Sequence, residues 1–320
     1  MIKKTFIVFF LCLLITGCKE ELIKTTETKE LLGTIVTITV MSYDEDKAKN
    51  SINLAFDEIE RIDSLLSIYK NDSQVFLLNK NGFLNNASYE LIYNLKKANY
   101  FSKLSNGAFD ISVQPILELY TKSFSENKRP PTGQEINGTL RLVNYKNIII
   151  NKNNIEFKNK NMKITLGGIA KGYAVDKAIE VLEKNGIKNA LVNAGGDIRT
   201  IGKKNKEDWT IALENPRNKE EYIAIINLNN KSIATSGDYE RYFDEKKEFH
   251  HIVNPKTGYS ATELISVTII ADKAIDADAL STSVFVLGMD DGLMLIERLR
   301  DVEGLIITNE KEIIKSSGFD

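Results

Sequence analysis

Apolar residues recur along this chain at two spacings, and the spacing divides it into elements. From Lys47 to Leu66, Ile52, Ala55, Phe56, Ile59, Ile62, Leu65 and Leu66 fall on one face of a 3.6-residue helix. Tyr89 to Ser105 reads as a second helix, and Leu31 to Met41, alternating Thr with aliphatic residues, as a half-buried strand. Met162 to Leu166 has the look of a strand end, followed by Gly167-Gly168. The helix beyond carries Ala174, Ala178, Ile179 and Leu182 on its apolar face and stops at Gly186. Strands follow at Ala190–Asn193, Trp209–Glu214, Tyr222–Leu228, Ser232–Gly237 and Leu264–Ala271. Helices at Ala274–Leu287, stopped by Gly288, and at Leu293–Leu299 precede a hairpin of Leu305–Ile307 with Glu312–Ile314. Ser123 to Gly138, with Pro130 and Pro131, reads as a surface loop. So many strands joined by turns as short as Asn229-Asn230 predict an α+β fold of antiparallel or mixed sheets flanked by helices.

The first residues follow neither period. Lys3 and Lys4 precede an apolar run from Phe6 to Ile15 that is too short to span a bilayer as a mature helix and is shaped like a secretory signal. It ends in Leu14-Ile15-Thr16-Gly17-Cys18, which resembles the lipobox of bacterial lipoproteins. That resemblance implies cleavage before Cys18, its lipidation, and a membrane-anchored protein on the extracytoplasmic side of the cell envelope. The expected organisation is a signal peptide at 1–17, a tether at 18–30 (Lys19 to Glu30 is polar and charged) and one catalytic domain at 31–320. Cys12 lies in the segment to be removed, so an acylated Cys18 would leave no thiol for disulfides or catalysis. Loss of Lys3 and Lys4 takes 42 basic residues to 40 against 44 acidic ones, a formal charge of −4. That balance offers nothing to nucleic acid.

Three clusters carry candidate chemistry. Paired glycines between strand and helix let backbone approach a ligand closely, while helix N–H groups and Lys171 add positive charge. An anion such as a phosphate suits that arrangement, and a plain tight turn would read the same way. The P-loop pattern is excluded, because Gly167-x4-Gly172 is followed by Tyr173 and Ala174; the Gly-x-Gly-x-x-Gly fingerprint lacks its first spacing. Asp278 and Thr282, at i and i+4, put two oxygens on one helix face, suited either to a hard cation such as Mg²⁺ or to complementing a helix dipole. His250 and His251 lie beside a turn-rich loop, where a histidine pair is usually structural but a neutral imidazole can also serve as a base near pH 7; His250 is expected at the surface.

The run Leu166-Gly167-Gly168-Ile169-Ala170-Lys171-Gly172-Tyr173-Ala174-Val175-Asp176 resembles the signature of the ApbE-type FAD:protein FMN transferases. Further segments match in family order: Leu32-Gly33-Thr34, Ile62 to Tyr69, Asn106 to Pro115, Ala194-Gly195-Gly196-Asp197, Ala234-Thr235-Ser236-Gly237, and His251-Ile252 with Asn254-Pro255. The resemblance implies an ApbE-like, T-fold-like architecture and the transfer of FMN from FAD, with Mg²⁺, to a Thr or Ser of an acceptor protein, a redox protein of the membrane. It assigns FAD contacts to Leu32, Tyr69, Ala108, Phe109, Asp110, Thr165, Lys171 and Ile252. It assigns Mg²⁺ to Asp278, Thr282 and the Gly168 carbonyl, and catalysis to His251. Two positions depart from the pattern: Leu32 replaces the usual Met, and Thr165 replaces an Asp. Three other readings stay open: an FAD pyrophosphatase using water as acceptor, a lipoprotein that only binds flavin, and a structural surface lipoprotein.

Overall fold

The computed structural model describes residues 21–319, so Cys18 and the expected signal peptide lie outside the described residues. The chain opens with a hairpin, β1 (Ile23–Leu31) and β2 (Thr34–Ser42), then the helices α1 (Glu45–Leu66) and α2 (Gln74–Asn81). A short strand β3 (Phe83–Leu84) leads to α3 (Tyr89–Leu104), α4 (Gln114–Asn127) and α5 (Gly133–Leu140). After β4 (Ile148–Asn151) and β5 (Asn154–Phe157) comes α6 (Ala170–Lys184). Strands β6 (Ala190–Ala194), β7 (Asp197–Ile201), β8 (Trp209–Asn215), β9 (Asn218–Leu228), β10 (Ser232–Gly237) and β11 (Leu264–Ala271) follow. The chain closes with α7 (Ala274–Leu287), α8 (Met289–Glu297), β12 (Glu303–Thr308) and β13 (Ile313–Lys315).

Eight strands form one sheet in the order β1-β2-β6-β7-β10-β11-β12-β13, every neighbour antiparallel. Two small antiparallel sheets, β3-β5-β4 and β8-β9, complete the α+β fold expected of the pattern. The main core lies where α1, α6 and α7 meet the sheet, with α6 packed against both of the other helices. Helix α1 starts at Asp44, whose carboxylate accepts from the Lys47 N–H at 2.9 Å, and buries the predicted stripe from Ile52 to Leu66. Helix α6 ends as predicted: Gly186 is left-handed (φ 76°), and the Ile187 N–H returns to the Leu182 carbonyl at 3.0 Å. Among the described residues no helix is long and apolar enough to cross a membrane.

The structure corrects the reading at four places. Most of the expected tether is β1, paired with β2 from Ile23 to Leu31. It is an edge strand with only Thr25 buried, so it has no apolar period to detect, and its charged residues suit an edge. Threonine hydroxyls fasten it to β2, Thr26 to Thr39 and Thr28 to Thr37, both at 3.0 Å. The single strand expected over Leu31–Met41 is instead divided by a turn at Leu32 and Gly33, both with positive φ. Met162–Leu166 forms no strand. Its polar groups go to the Asn79 side chain, which bonds both the N–H and the carbonyl of Ile164 at 2.8 Å, and to the Ile111 carbonyl, which takes the Thr165 N–H at 2.8 Å. The proline-rich loop contains α5, opened by a capping box between Thr132 and Glu135. The glycine turn at Gly107 leads through a 3₁₀ turn at Ile111–Val113 into α4, because the Asp110 carboxylate caps it by accepting from the Ser112 N–H at 2.8 Å.

Candidate active site

The site is built where the turn before α6 meets α7. Asp176, the last residue of the glycine-rich run, is on α6 and accepts from the first two N–H groups of α7, Ala274 at 2.9 Å and Ile275 at 3.1 Å. Arg199 on β7 completes the clamp at 2.6 Å. Burial pushes the Asp176 carboxyl up, and Arg199 with the two N–H groups works against that. This aspartate is therefore structural: it sets the register of α7 on α6. At the crossing Gly172 leaves no room for a side chain, since a Cβ there would lie 2.8 Å from the Ile275 Cα.

That register brings the predicted pieces together. The Gly172 N–H donates to Asp278 Oδ2 at 3.0 Å. A Cβ on Gly168 would stand 2.9 Å from Thr282 Oγ1 and 3.3 Å from the Phe109 ring, so turn, threonine and aromatic are in contact. Ser236 Oγ on β10 lies 3.2 Å from Thr282 Oγ1 and 2.8 Å from Ser281 Oγ, which orients the α7 hydroxyls. Lys171 reaches Asp197 Oδ1 at 3.2 Å. Burial opposes the Lys171 charge, but the Asp197 and Asp278 carboxylates outweigh it and hold the ammonium above its ordinary value. Asp278 is 4% exposed; burial first, then the neighbouring Asp197, push its carboxyl well up.

Among the described residues no three His, Cys, Asp or Glu side chains form a metal cluster. The donors that do converge are one carboxylate, one hydroxyl and the glycine turn. An all-oxygen set of this kind fits a hard cation that keeps waters and shares substrate phosphates.

His251 stands on the loop between β10 and β11. Its Nδ1 faces the Arg241 carbonyl at 3.2 Å; a carbonyl only accepts, so the ring proton belongs on Nδ1 and Nε2 keeps its lone pair. Burial pushes the imidazole down to about 4, so it is neutral near pH 7. His250 is not at the surface as expected but 5% exposed. It is neutral and bridging: Nε2 donates to the Ala261 carbonyl at 2.7 Å, Nδ1 accepts from the Ile252 N–H at 3.3 Å, and the ring meets Phe285 edge-on. Phe243 and Phe249 pin the same loop to Tyr120 of α4.

The remaining predicted contacts divide. Ala108 and Phe109 are buried beside the turn, while the Asp110 carboxylate is taken up by Ser112 and by the Tyr145 N–H at 2.9 Å. A polar cleft of about 420 Å³ runs between Asn106, Gly107 and Asp110 on one side and Pro255 and Lys256, just past His251, on the other. A second cavity of about 320 Å³, lined by Leu95, Ile111 and Lys152 among others, holds none of the site residues. Thr165 Oγ1 accepts from the Gly167 N–H at 3.2 Å, so threonine supplies the turn with an acceptor that carries no charge. Ile252 is buried in the main core. Leu32 sits at the β1–β2 turn, and Tyr69, 77% exposed, follows α1.

Sequence reasoning missed Asp197 and Ser236. Both lie in runs matched to the family pattern, Ala194-Gly195-Gly196-Asp197 and Ala234-Thr235-Ser236-Gly237, which were the available signal.

Frame and site define an α+β protein whose candidate groups gather at the junction of two helices. The chain belongs to the ApbE family, whose model matches residues 32–306. It is 32% identical to an FAD:protein FMN transferase of Haemophilus influenzae, over 96% of this chain and 93% of the relative. A Klebsiella pneumoniae FAD:protein FMN transferase is 30% identical over 90% of each chain. The fold superposes on the ApbE protein of Thermotoga maritima with a TM-score of 0.84 at 35% identity, covering 92% of this chain and 97% of that one. The flavin transferase ApbE of Vibrio cholerae superposes with a TM-score of 0.80 at 26% identity, covering 93% and 98%.

Proposed function

We propose that this protein moves FMN from FAD to a Thr or Ser hydroxyl of an acceptor protein and releases AMP. Family membership supports the reaction, and the contact of the Gly167-Gly168 turn with Thr282, beside Asp278 and Lys171, is the observation that carries the site. Asp278, Thr282 and the Gly168 carbonyl would hold Mg²⁺, which when bound neutralises charge on the diphosphate. Lys171 and the α6 N-terminus hold phosphate oxygens. The cleft between Asp110 and Lys256 receives part of the dinucleotide. His251 Nε2 accepts the acceptor's hydroxyl proton. That oxygen bonds to the FMN-side phosphorus as the bond to the AMP phosphate breaks. Positioning and charge supply most of what such a transfer requires.

We further place the mature chain on a lipid anchor at Cys18, outside the cytoplasm, facing a membrane redox subunit as acceptor. The leader pattern supports this placement. Globomycin treatment of expressing cells, which blocks lipoprotein signal cleavage, should leave the longer precursor; unchanged processing removes the anchor.

One assay separates the readings. The mature domain, incubated with FAD, Mg²⁺ and a candidate acceptor, gives a fluorescent covalent band and AMP. FMN and AMP without a band would mean hydrolysis, and intact FAD would mean binding alone. Asp278→Ala abolishes the band. Gly168→Ala, which drives a methyl into Thr282, lowers band formation at least tenfold while the far-UV CD spectrum stays that of the wild type. A fully active Gly168→Ala enzyme would remove the turn from the site.

A further inference from the structure

Asp197 is the charged group at the site that the proposed chemistry leaves unused. It is 1% exposed and begins β7 directly after Gly195 and Gly196, both with positive φ. A Cβ on Gly195 would run into Thr34, so that turn is drawn in tightly against the β2 end. Only one of its oxygens is satisfied, Oδ1 by the Lys171 ammonium at 3.2 Å. Oδ2 is buried with no hydrogen-bond partner among the described residues. The Asp278 carboxylate lies beside it.

Two carboxylates against one ammonium would leave a surplus negative charge shut away from water, which either a proton on Asp278 or a bound cation cancels. Buried charge is retained only where something compensates it, and an unpartnered carboxylate oxygen is the least comfortable of buried acceptors. Lys171 touches Oδ1, and its single positive charge cannot cancel both acids. Glu240, the other acid whose field reaches Lys171, adds negative charge and deepens the deficit. We propose that Asp197 is a second carboxylate of the cation site, sharing a divalent cation with Asp278 through Oδ2 while Oδ1 holds Lys171. This rests on the reading that a cation binds at Asp278. It gives Lys171 a defined place, tied to the far side of the same carboxylate, and it makes the glycine pair before β7 part of the site.

The test uses the folded mature domain without FAD and Mn²⁺ as the probe, with free Mn²⁺ followed by EPR near neutral pH. Wild type binds a single Mn²⁺. Asp197→Asn keeps shape and removes charge; it weakens Mn²⁺ binding about tenfold or more. Its melting temperature without metal equals or exceeds that of wild type, because a like-charge contact is gone, while the rise on adding Mn²⁺ shrinks. A residue that only anchors Lys171 would instead lower the metal-free melting temperature. Lys171→Met gives an independent reading should Asp197→Asn fail to fold: removal of the ammonium tightens Mn²⁺ binding. Asp197→Asn binding within about twofold of wild type while Asp278→Asn loses the ion overturns the role of Asp197 and leaves the Asp278 site standing. Unchanged or weaker binding by Lys171→Met overturns it too. If wild type takes up no Mn²⁺, or Asp278→Asn binds as wild type does, the cation site itself falls and Asp197 with it.

Discussion

His251→Ala lowers the rate of FMN transfer by about 10²–10⁴-fold, the usual loss when a general base is removed. The fold tolerates the change, because the loop is held by other groups: His250 bridges Ala261 and Ile252, and Phe243 and Phe249 pack on Tyr120. FAD binding therefore survives while covalent labelling does not, which fluorescence titration and the gel band measure separately. The same residue determines a pH limb. Burial pushes the imidazole from its ordinary 6.5 down to about 4, so the base is already neutral at pH 6. The acid limb of kcat/KM that belongs to His251 thus lies near pH 4, and it is missing from the residual activity of His251→Ala. A limb at 6.5 would mean an imidazole open to water. Stability follows the same sign: the unfolded chain takes up this proton below 6.5 and the folded chain only near 4, so the residue's contribution turns against the fold across that window.

Gly172→Ala brings a large loss of stability for a single methyl. Its Cβ would run into the Ala274 carbonyl and lie 2.5 Å from that carbonyl's carbon and 2.8 Å from the Ile275 Cα, all backbone of α7. A flexible side chain could swing aside; a helix cannot. Overpacking of this kind costs about 1–3 kcal/mol and here lies toward the upper end. The helices must also separate at the point where the Gly172 N–H supports Asp278, so activity falls with stability. Thermal unfolding of the mature domain reads the first effect and the labelling assay the second. Gly167→Ala is the control, because its Cβ meets only the Thr165 hydroxyl at 3.4 Å. Equal melting temperatures for the two variants would show that α6 and α7 do not approach so closely.

The elements easiest to read were those whose burial repeats. The apolar face of α1, the glycine stop of α6 and the hydrophobic strand β11 each bury a regular set of side chains. Elements without such a set were misread. Edge strand β1 hides almost nothing, so its backbone pairing left no mark on the pattern. Helix α5 is short and sits among prolines, although Thr132 and Glu135 carried the capping signature. His250 was misplaced because a histidine between turn residues has no periodicity, and its burial depends on Ala261, across the loop, and on Phe285, distant in sequence.

For the site, residue chemistry was legible and neighbourhood was not. The sequence by itself determined the kinds of groups available: a glycine turn opening a helix, two oxygens one helical turn apart on α7, and a histidine able to stay neutral. Those follow from local spacing. Only the tertiary structure decided that Asp176 is a clamp, that Gly172 lets two helices touch, and that Asp197 comes to lie against Lys171 and Asp278. These contacts join residues some 20 to 100 positions apart. No local period records them, because which groups share one buried volume depends on how helices and sheet pack.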